Sequence, residues 1–332
     1  MAKAEWLEAR RAEVLPVEYF HITFTLPSRL GPVALQNQAV LYDLLFKAAS
    51  QTLLRIAADP MHLGARIGFF AVLHTWGQTL RHHPHVHCVV PGGGLSQDGT
   101  QWVACRPGFF LPVRVLSRLF RRLFLEGLLK AFQHGHLKFH GHLRHLADPP
   151  AFNSFLKQCQ SVDWVVHSKS HSCTPERAIE YLAHYTHKVA ISNHRLLKLE
   201  YGRLTFRYKD YRDDDKTKEM TISASEFIRR FLLHILPDAF MRIRYYGLLS
   251  NPHRARNLAS CRRLLAPEQQ PLPEQRPSDD FAGRFRRLTG LDLDRCPACK
   301  KGSMLRAYSV SPSQPLAWNT AVPCFPQPAD TS

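Results

Sequence analysis

The run His85-Val86-His87-Cys88-Val89-Val90-Pro91, followed by Gly92-Gly93-Gly94, constrains this chain more than any other stretch. β-Branched residues concentrate in it and proline with three glycines ends it, so residues 85–91 read as a strand closed by a turn. Alternate side chains of a strand project to the same face. His85 and His87 therefore share one face, opposite Val86 and Cys88. The spacing alone is weak evidence, because His83–His85, His134–His136 and His140–His142 repeat it among 19 histidines. Only the pair at 85 and 87 opens a β-forming run that enforces parity. Two imidazoles so placed can hold one cation, and satisfied or surface histidines are the alternative.

A strand needs partners. Residues 18–27 (EYFHITFTLP) alternate Phe20, Ile22, Phe24 and Leu26 on one face with Tyr19, His21, Thr23 and Thr25 on the other, a half-buried strand stopped by proline. Residues 67–75 and 101–104 read as further strands, and 163–167 (DWVVH) as another. Between them, 35–58 follows helical spacing, with Leu41, Leu44, Leu45, Ala48 and Leu53 as its apolar stripe. Residues 113–134 form a basic amphipathic helix carrying Arg114, Arg118, Arg121, Arg122 and Lys130, either a solvated face or one that tracks nucleic acid. A helix over 175–189 is signalled by Thr174 as N-cap and Pro175 in its first turn. Short strands around a Tyr-Gly turn follow within 195–222, then helices over 226–236 and 254–265. The expected class is α+β, with helices packed on a central, mainly antiparallel sheet.

Three segments are expected: a domain over 1–265, a Pro-rich linker with a basic patch over 266–295, and a disordered tail over 296–332 that contains Cys296-x-x-Cys299. With 44 Lys and Arg against 27 Asp and Glu, the formal charge of +17 calls for a polyanionic partner, most simply nucleic acid. No apolar run approaches the roughly 18 residues that span a bilayer, and the charged start MAKAEWLEARRAEVLP is no leader, so no membrane partner and a cytoplasmic location are expected. Eight unevenly spaced cysteines do not make a disulfide framework. The absence of a G-x-x-x-x-G-K-[ST] loop argues against a nucleotide cofactor.

The second chemical motif is Tyr181-Leu-Ala-His-Tyr185-Thr-His-Lys188. Offsets of four and three put Tyr181, Tyr185 and Lys188 on one face of the expected helix. A core or surface tyrosine stripe seldom carries a lysine directly on it. A phenol titrates near 10, so a tyrosine nucleophile needs a nearby cation, which Lys188 can supply. With a divalent ion on His85 and His87 polarising a phosphate, a tyrosine could attack phosphorus to give a 5′-phosphotyrosine and a free 3′-OH, conserving the bond energy without ATP.

The order FHITFTLP, HTWGQTLRHHPHVHCVVPGGGLS and YLAHYTHKVAISNHRL resembles the two-tyrosine HUH rolling-circle transposases of bacterial insertion sequences, the insertion-sequence-91-like group. FRYKDYRD, EFIRRFLLHILP and RIRYYGLL extend the likeness from about residue 3 to 265. The resemblance implies an HUH endonuclease fold, with His85 and His87 on a central strand and the tyrosine helix beside it. It implies Mg²⁺ or Mn²⁺, and single-stranded DNA at transposon ends and target DNA as partners. His74 is preferred as third ligand because imidazole is the better donor; Gln78, which shares its parity, and His184 are the alternatives. Lys169, Arg118, Arg121, Arg122, Arg242 and Arg244 are candidate phosphate contacts, with Arg254 and Arg256 beside them, and Tyr208, Tyr211 and Tyr245 candidate stacking platforms. A plasmid replication initiator or relaxase uses the same motifs, and an inert DNA-binding remnant is the rival from another class. Related transposases carry a cysteine-rich zinc-binding region ahead of the segment resembling AKAEWLEARRAE, so a chain truncated at Met1 is expected. Cys296-x-x-Cys299 is half of a four-ligand zinc site, for which His253, Cys261 and Cys324 are possible complements.

Overall fold

A computed structural model describes residues 13–171, 190–210, 213–266 and, between 283 and 304, a subset of positions. Residues 2–274 form one compact unit; residues 275–332, with Met1, form another.

The first unit is α+β, as its sequence pattern predicts. Its main sheet contains β1 (Tyr19–Thr25), β2 (Gly68–Trp76), β3 (His82–Pro91), β6 (Val166–His171) and β10 (Ile243–Gly247), in the order β10-β2-β3-β1-β6 with every pairing antiparallel. Two strands, β4 (Gly93–Leu95) and β5 (Trp102–Ala104), make a small hairpin after the glycine turn. A second sheet is formed by β7 (Leu196–Glu200), β8 (Arg203–Asp210) and β9 (Lys216–Ser223).

Strand parity divides the main sheet into two unlike faces. Phe20, Ile22 and Phe24 of β1, Phe69, Ala71 and Leu73 of β2, and Val86, Cys88 and Val90 of β3 all enter one apolar core. Four helices cover it: α1 (Gly31–Gln36), α2 (Gln38–Ala58), α3 (Val113–Gln133) and α4 (Pro149–Gln160). Phe24 meets Phe120 of α3 edge-on at 4.9 Å, and Phe120 in turn meets Trp164 at 5.2 Å. Each such fully buried ring contributes about 1.5–3 kcal/mol of transfer free energy. Helices α2 and α3 approach closely at Gly127, where a Cβ would stand 2.7 Å from Leu44 Cδ2.

The opposite face holds Tyr19, Phe70, Val72 and Val89, and then turns polar toward the end of the sheet where β2 leads into β3. The connection between those strands is anchored by residues that flank the second sheet: Arg195 donates to Gln78 O at 2.6 Å and Arg230 to Thr79 O at 3.1 Å. Leu80 in that turn has φ 59 and is fully buried beside Phe206. Helices α5 (Ala224–Leu232) and α6 (Arg254–Leu265) complete the unit. The Ser223 hydroxyl caps α5 by accepting from Glu226 N at 3.2 Å.

Some expectations shift. The strand expected at 163–167 lies at Val166–His171, because Trp164 leaves the strand direction to bury its ring and donate Nε1 to Cys159 O at 2.9 Å. Helix α4 and strand β10 were not expected as elements. No helix among the described residues is long and apolar enough to cross a membrane.

Candidate metal centre

The β2–β3–β1 register determines what surrounds the two histidines. His85 lies opposite His74 on β2 and Thr25 on β1; His87 lies opposite Val72 and Thr23. Cross-strand neighbours share a face. His74 therefore joins His85 and His87 on the face away from the helices, and one ligand nitrogen from each lies within 4.8 Å of the others. The ring centroids are 4.5 Å apart for His74 and His87, 4.7 Å for His85 and His87, and 5.5 Å for His74 and His85.

Hydrogen bonds orient these rings. His85 Nδ1 is 2.7 Å from the His83 carbonyl, which can only accept, so the proton sits on Nδ1 and the lone pair on Nε2. His87 Nδ1 lies 2.7 Å from His21 Nε2 and 3.2 Å from Thr23 Oγ1. When His87 Nδ1 donates into that pair, the nitrogen it can offer to a metal is Nε2, a buried atom. His74 is held against Trp76, its ring stacked at 4.6 Å and 18°. Outer partners of this kind fix tautomer and ring orientation in metal sites.

Burial keeps the His85 and His87 imidazoles neutral. It pushes His85 down to about 4, and it holds His87 well below the ordinary histidine value, reinforced by the neighbouring His85, His74 and His21 rings. Neutral imidazole is the form that binds metal. The donor set fits a divalent ion: three imidazole nitrogens converge, and their number leaves coordination positions for water or phosphate oxygen.

Gln78, the alternative third ligand, accepts through its Oε1 from Lys209 N at 3.5 Å. His184 lies outside the described residues, as do Tyr181, Tyr185, Lys188 and Tyr211. Lys169 is exposed on β6 directly across from His21, on the histidine face. Arg242 has its guanidinium 5.7 Å from the Trp76 ring that backs His74.

The remaining basic candidates are not brought to the histidines. Arg244 turns to the helix side, over the Phe46 ring at 4.3 Å and paired with Asp43 at 2.5 Å. Arg118, Arg121 and Arg122 lie on α3, which packs on the opposite face of the sheet; there they line an open groove with Leu119, Leu125 and Leu156. Tyr208 packs against the Leu80–Phe206 cluster. Tyr245 is on the histidine face, 6.0 Å from Phe70 and beneath Arg254, and Arg256 is exposed on α6. The sequence reading overlooked His21 and Thr23 as partners of His87, although the alternation of β1 already set both on its polar face.

A second histidine pair is made by His82, at the start of β3, and His234, just after α5. His82 Nε2 is 2.8 Å from Tyr42 Oη, and the His234 ring stacks parallel to His82 at 6.5 Å. Burial, then the neighbouring His234, lowers His82 to about 4. In the unfolded chain it takes up its proton near 6.5. Its contribution to stability is therefore complete above 6.5 and is lost as the pH falls toward 4. In metal-free buffer the midpoint of thermal unfolding should fall across that window, and His82→Gln should flatten the fall; an unchanged slope would count against His82.

Residues 68–257 match the family model described as "Putative transposase". The chain belongs to that family. Among its relatives is the "Putative transposase y4qJ" of Sinorhizobium fredii, 54% identical over 323 residues, covering 97% of this chain and 81% of that protein. Another is the "Transposase for insertion sequence element IS801" of Pseudomonas savastanoi pv. phaseolicola, 28% identical over 299 residues, covering 90% of this chain and 70% of that one. Among solved structures, the conjugative relaxase TrwC with oriT DNA aligns to 52% of this transposase and 67% of its own chain, at 16% identity and a TM-score of 0.27. TrwC with a 27-mer DNA comprising its recognition hairpin and cleavage site aligns to 74% and 73%, at 15% identity and a TM-score of 0.26.

Proposed function

We propose that this transposase is a metal-dependent single-stranded DNA endonuclease and strand transferase of the HUH type, acting at the ends of an insertion sequence by a rolling-circle route. The observation that carries this reading is the convergence of His74, His85 and His87 on one face of the central sheet in a chain of a transposase family. A divalent cation held there would polarise the scissile phosphate and offset charge in the transition state. Three imidazole donors favour Mn²⁺ over Mg²⁺, since nitrogen donors suit transition metals and Mg²⁺ prefers oxygen.

The chain's own groups divide the remaining work. Tyr181 or Tyr185 Oη attacks phosphorus, the bond to the 3′ oxygen breaks, and the phenol proton leaves with solvent or a nearby base. The products are a 5′-phosphotyrosine and a free 3′-OH. Attack of a 3′-OH on that ester reverses the step, reforms a phosphodiester and frees the tyrosine. Lys188, three residues beyond Tyr185, favours the phenolate. Lys169 and Arg242, both on the histidine side of the sheet, hold the DNA backbone.

The test is incubation with Mn²⁺ and labelled single-stranded oligonucleotides that carry element ends. A covalent protein–DNA adduct that EDTA abolishes is the expected result. Binding without any adduct would leave an inert DNA-binding protein in place of an enzyme.

His21 and Thr23 give a further prediction. Removing both His87 partners with His21→Ala and Thr23→Val should weaken Mn²⁺ binding about 10–100-fold, as loss of outer partners typically does. Titration calorimetry checks it, with Thr23→Ser expected to stay close to the parent. Equal affinities in parent and variants would mean that His87 needs no support from β1.

A further inference from the structure

The second compact unit carries a feature that DNA cleavage does not use. Arg295 and Ser303 form a β-bridge, Cys296 N donates to Gly302 O at 2.8 Å and Met304 N to Asp294 O at 2.8 Å. These contacts pair Asp294, Arg295 and Cys296 with Gly302, Ser303 and Met304 as the two arms of a hairpin. The closure brings Gly302 to both cysteines: its N–H donates to Cys299 Sγ at 3.3 Å, and a Cβ on it would stand 3.5 Å from that sulfur and 3.8 Å from Cys296 Cβ. Backbone N–H groups of Gly302 and Lys301, and then the Cys296 thiol, hold the Cys299 thiol below its ordinary value. Donors aimed at sulfur stabilise thiolate, the form that ligates metal.

Among the described residues, little apolar surface is buried around these cysteines. Leu293 and Met304 are 39% and 50% exposed, and none of the unit's described residues belongs to the buried hydrophobic set. Where a small segment buries little apolar surface, a metal or a cross-link can supply the missing free energy. Arg295 and Lys301 stand exposed on the same hairpin, a cationic setting that suits a dithiolate.

We propose that Cys296 and Cys299 are two ligands of a structural thiolate zinc site, distinct in chemistry from the three-imidazole centre. Soft sulfur donors select Zn²⁺ over Mg²⁺ and Mn²⁺, so the two sites sort their ions by ligand type. Structural zinc takes four protein ligands. The hairpin supplies two, and the others come either from elsewhere in the same chain or from the same hairpin of a second copy.

Cobalt substitution in the full, reduced chain tests the proposal, because thiolate ligation gives a near-ultraviolet sulfur-to-cobalt charge-transfer band that a histidine-only site lacks. The band is expected in the parent protein, retained in His85→Ala/His87→Ala, and lost in Cys296→Ser/Cys299→Ser. Saturation at one cobalt per chain would place all four ligands in one molecule. Saturation at one per two chains, with metal-dependent dimers on size exclusion, would assign the second pair to a partner copy. Absence of the band in the parent protein with its thiols reduced, or its survival in the double serine variant, would overturn the proposal. The readout does not depend on DNA cleavage, so it stands apart from the fate of the proposed reaction.

Discussion

His87→Ala should lower Mn²⁺-dependent cleavage of single-stranded DNA by about 10³-fold, while single-stranded DNA binding and the circular dichroism spectrum stay close to the parent. A metal positioned at a phosphoryl oxygen supplies several kcal/mol of charge stabilisation, and about 4 kcal/mol corresponds to about 10³ in rate. His87 is the histidine most able to produce so large a loss. It is the member nearest both others by ring separation, and it is the one tied through Nδ1 to β1. The fold should survive because His87 is on the polar face of β3, whereas the apolar core is on the other face, with Val86, Cys88 and Val90. Electron paramagnetic resonance of bound Mn²⁺ separates the causes: a lost signal together with lost cleavage places the metal at His87. Cleavage within about tenfold of the parent would remove the histidine cluster from the reaction.

Much of this division into faces was legible in the sequence. The alternation of residues 18–27 predicts β1 with its apolar and polar sides as found, and parity at 85 and 87 predicts the shared face of the two histidines. The helical stripe predicts α2, apart from its start, where Asn37 leaves helical geometry to bond Lys138 through both its amide donor and its carbonyl. Strand order was not legible, because the pairings β10 with β2 and β1 with β6 join segments more than 140 residues apart in sequence, and no local pattern encodes them. Strand β6 escaped its true register because it exposes polar side chains such as His167 and Lys169, leaving little hydrophobic period to read. Helix α4 had a usable signal in Asp148-Pro149-Pro150: Asp148 accepts from Ala151 N at 3.1 Å as N-cap, with prolines in the first turn where no N–H is needed.

The same reasoning separates the basic side chains. Charge and spacing gave Arg118, Arg121 and Arg122 the same standing as Arg242, yet a helix periodicity says which residues share a stripe and not which face of a sheet that helix covers. Once α3 is seen to bury Phe120 and Phe124 against β1, its arginines belong to the far side of the sheet from the imidazoles. Lys169 and Arg242 owe their better position to register alone: one lies opposite His21, the other beside the ring that backs His74.

Tyr181→Phe/Tyr185→Phe should abolish the covalent DNA adduct altogether, the largest effect expected of any change in this chain. Phenylalanine keeps the ring and nearly all of the volume, and removes only the two Oη atoms proposed to attack phosphorus. Mn²⁺ binding should be unaffected, because no ligand is altered, and retained metal with no adduct distinguishes a lost nucleophile from a lost centre. The single variants carry the finer information. With either tyrosine left, one strand can still be cut and held, so an adduct persists in each. Exchange between two strands requires one 5′ end to stay esterified while a second is cut, so both single variants should be deficient in joining a cut end to a new 3′-OH. A double variant that still forms an adduct would place the nucleophile elsewhere, and peptide mapping of that adduct would identify it. Unimpaired strand joining by both single variants would instead mean that one tyrosine suffices, and that the four-residue spacing does not serve two sequential attacks.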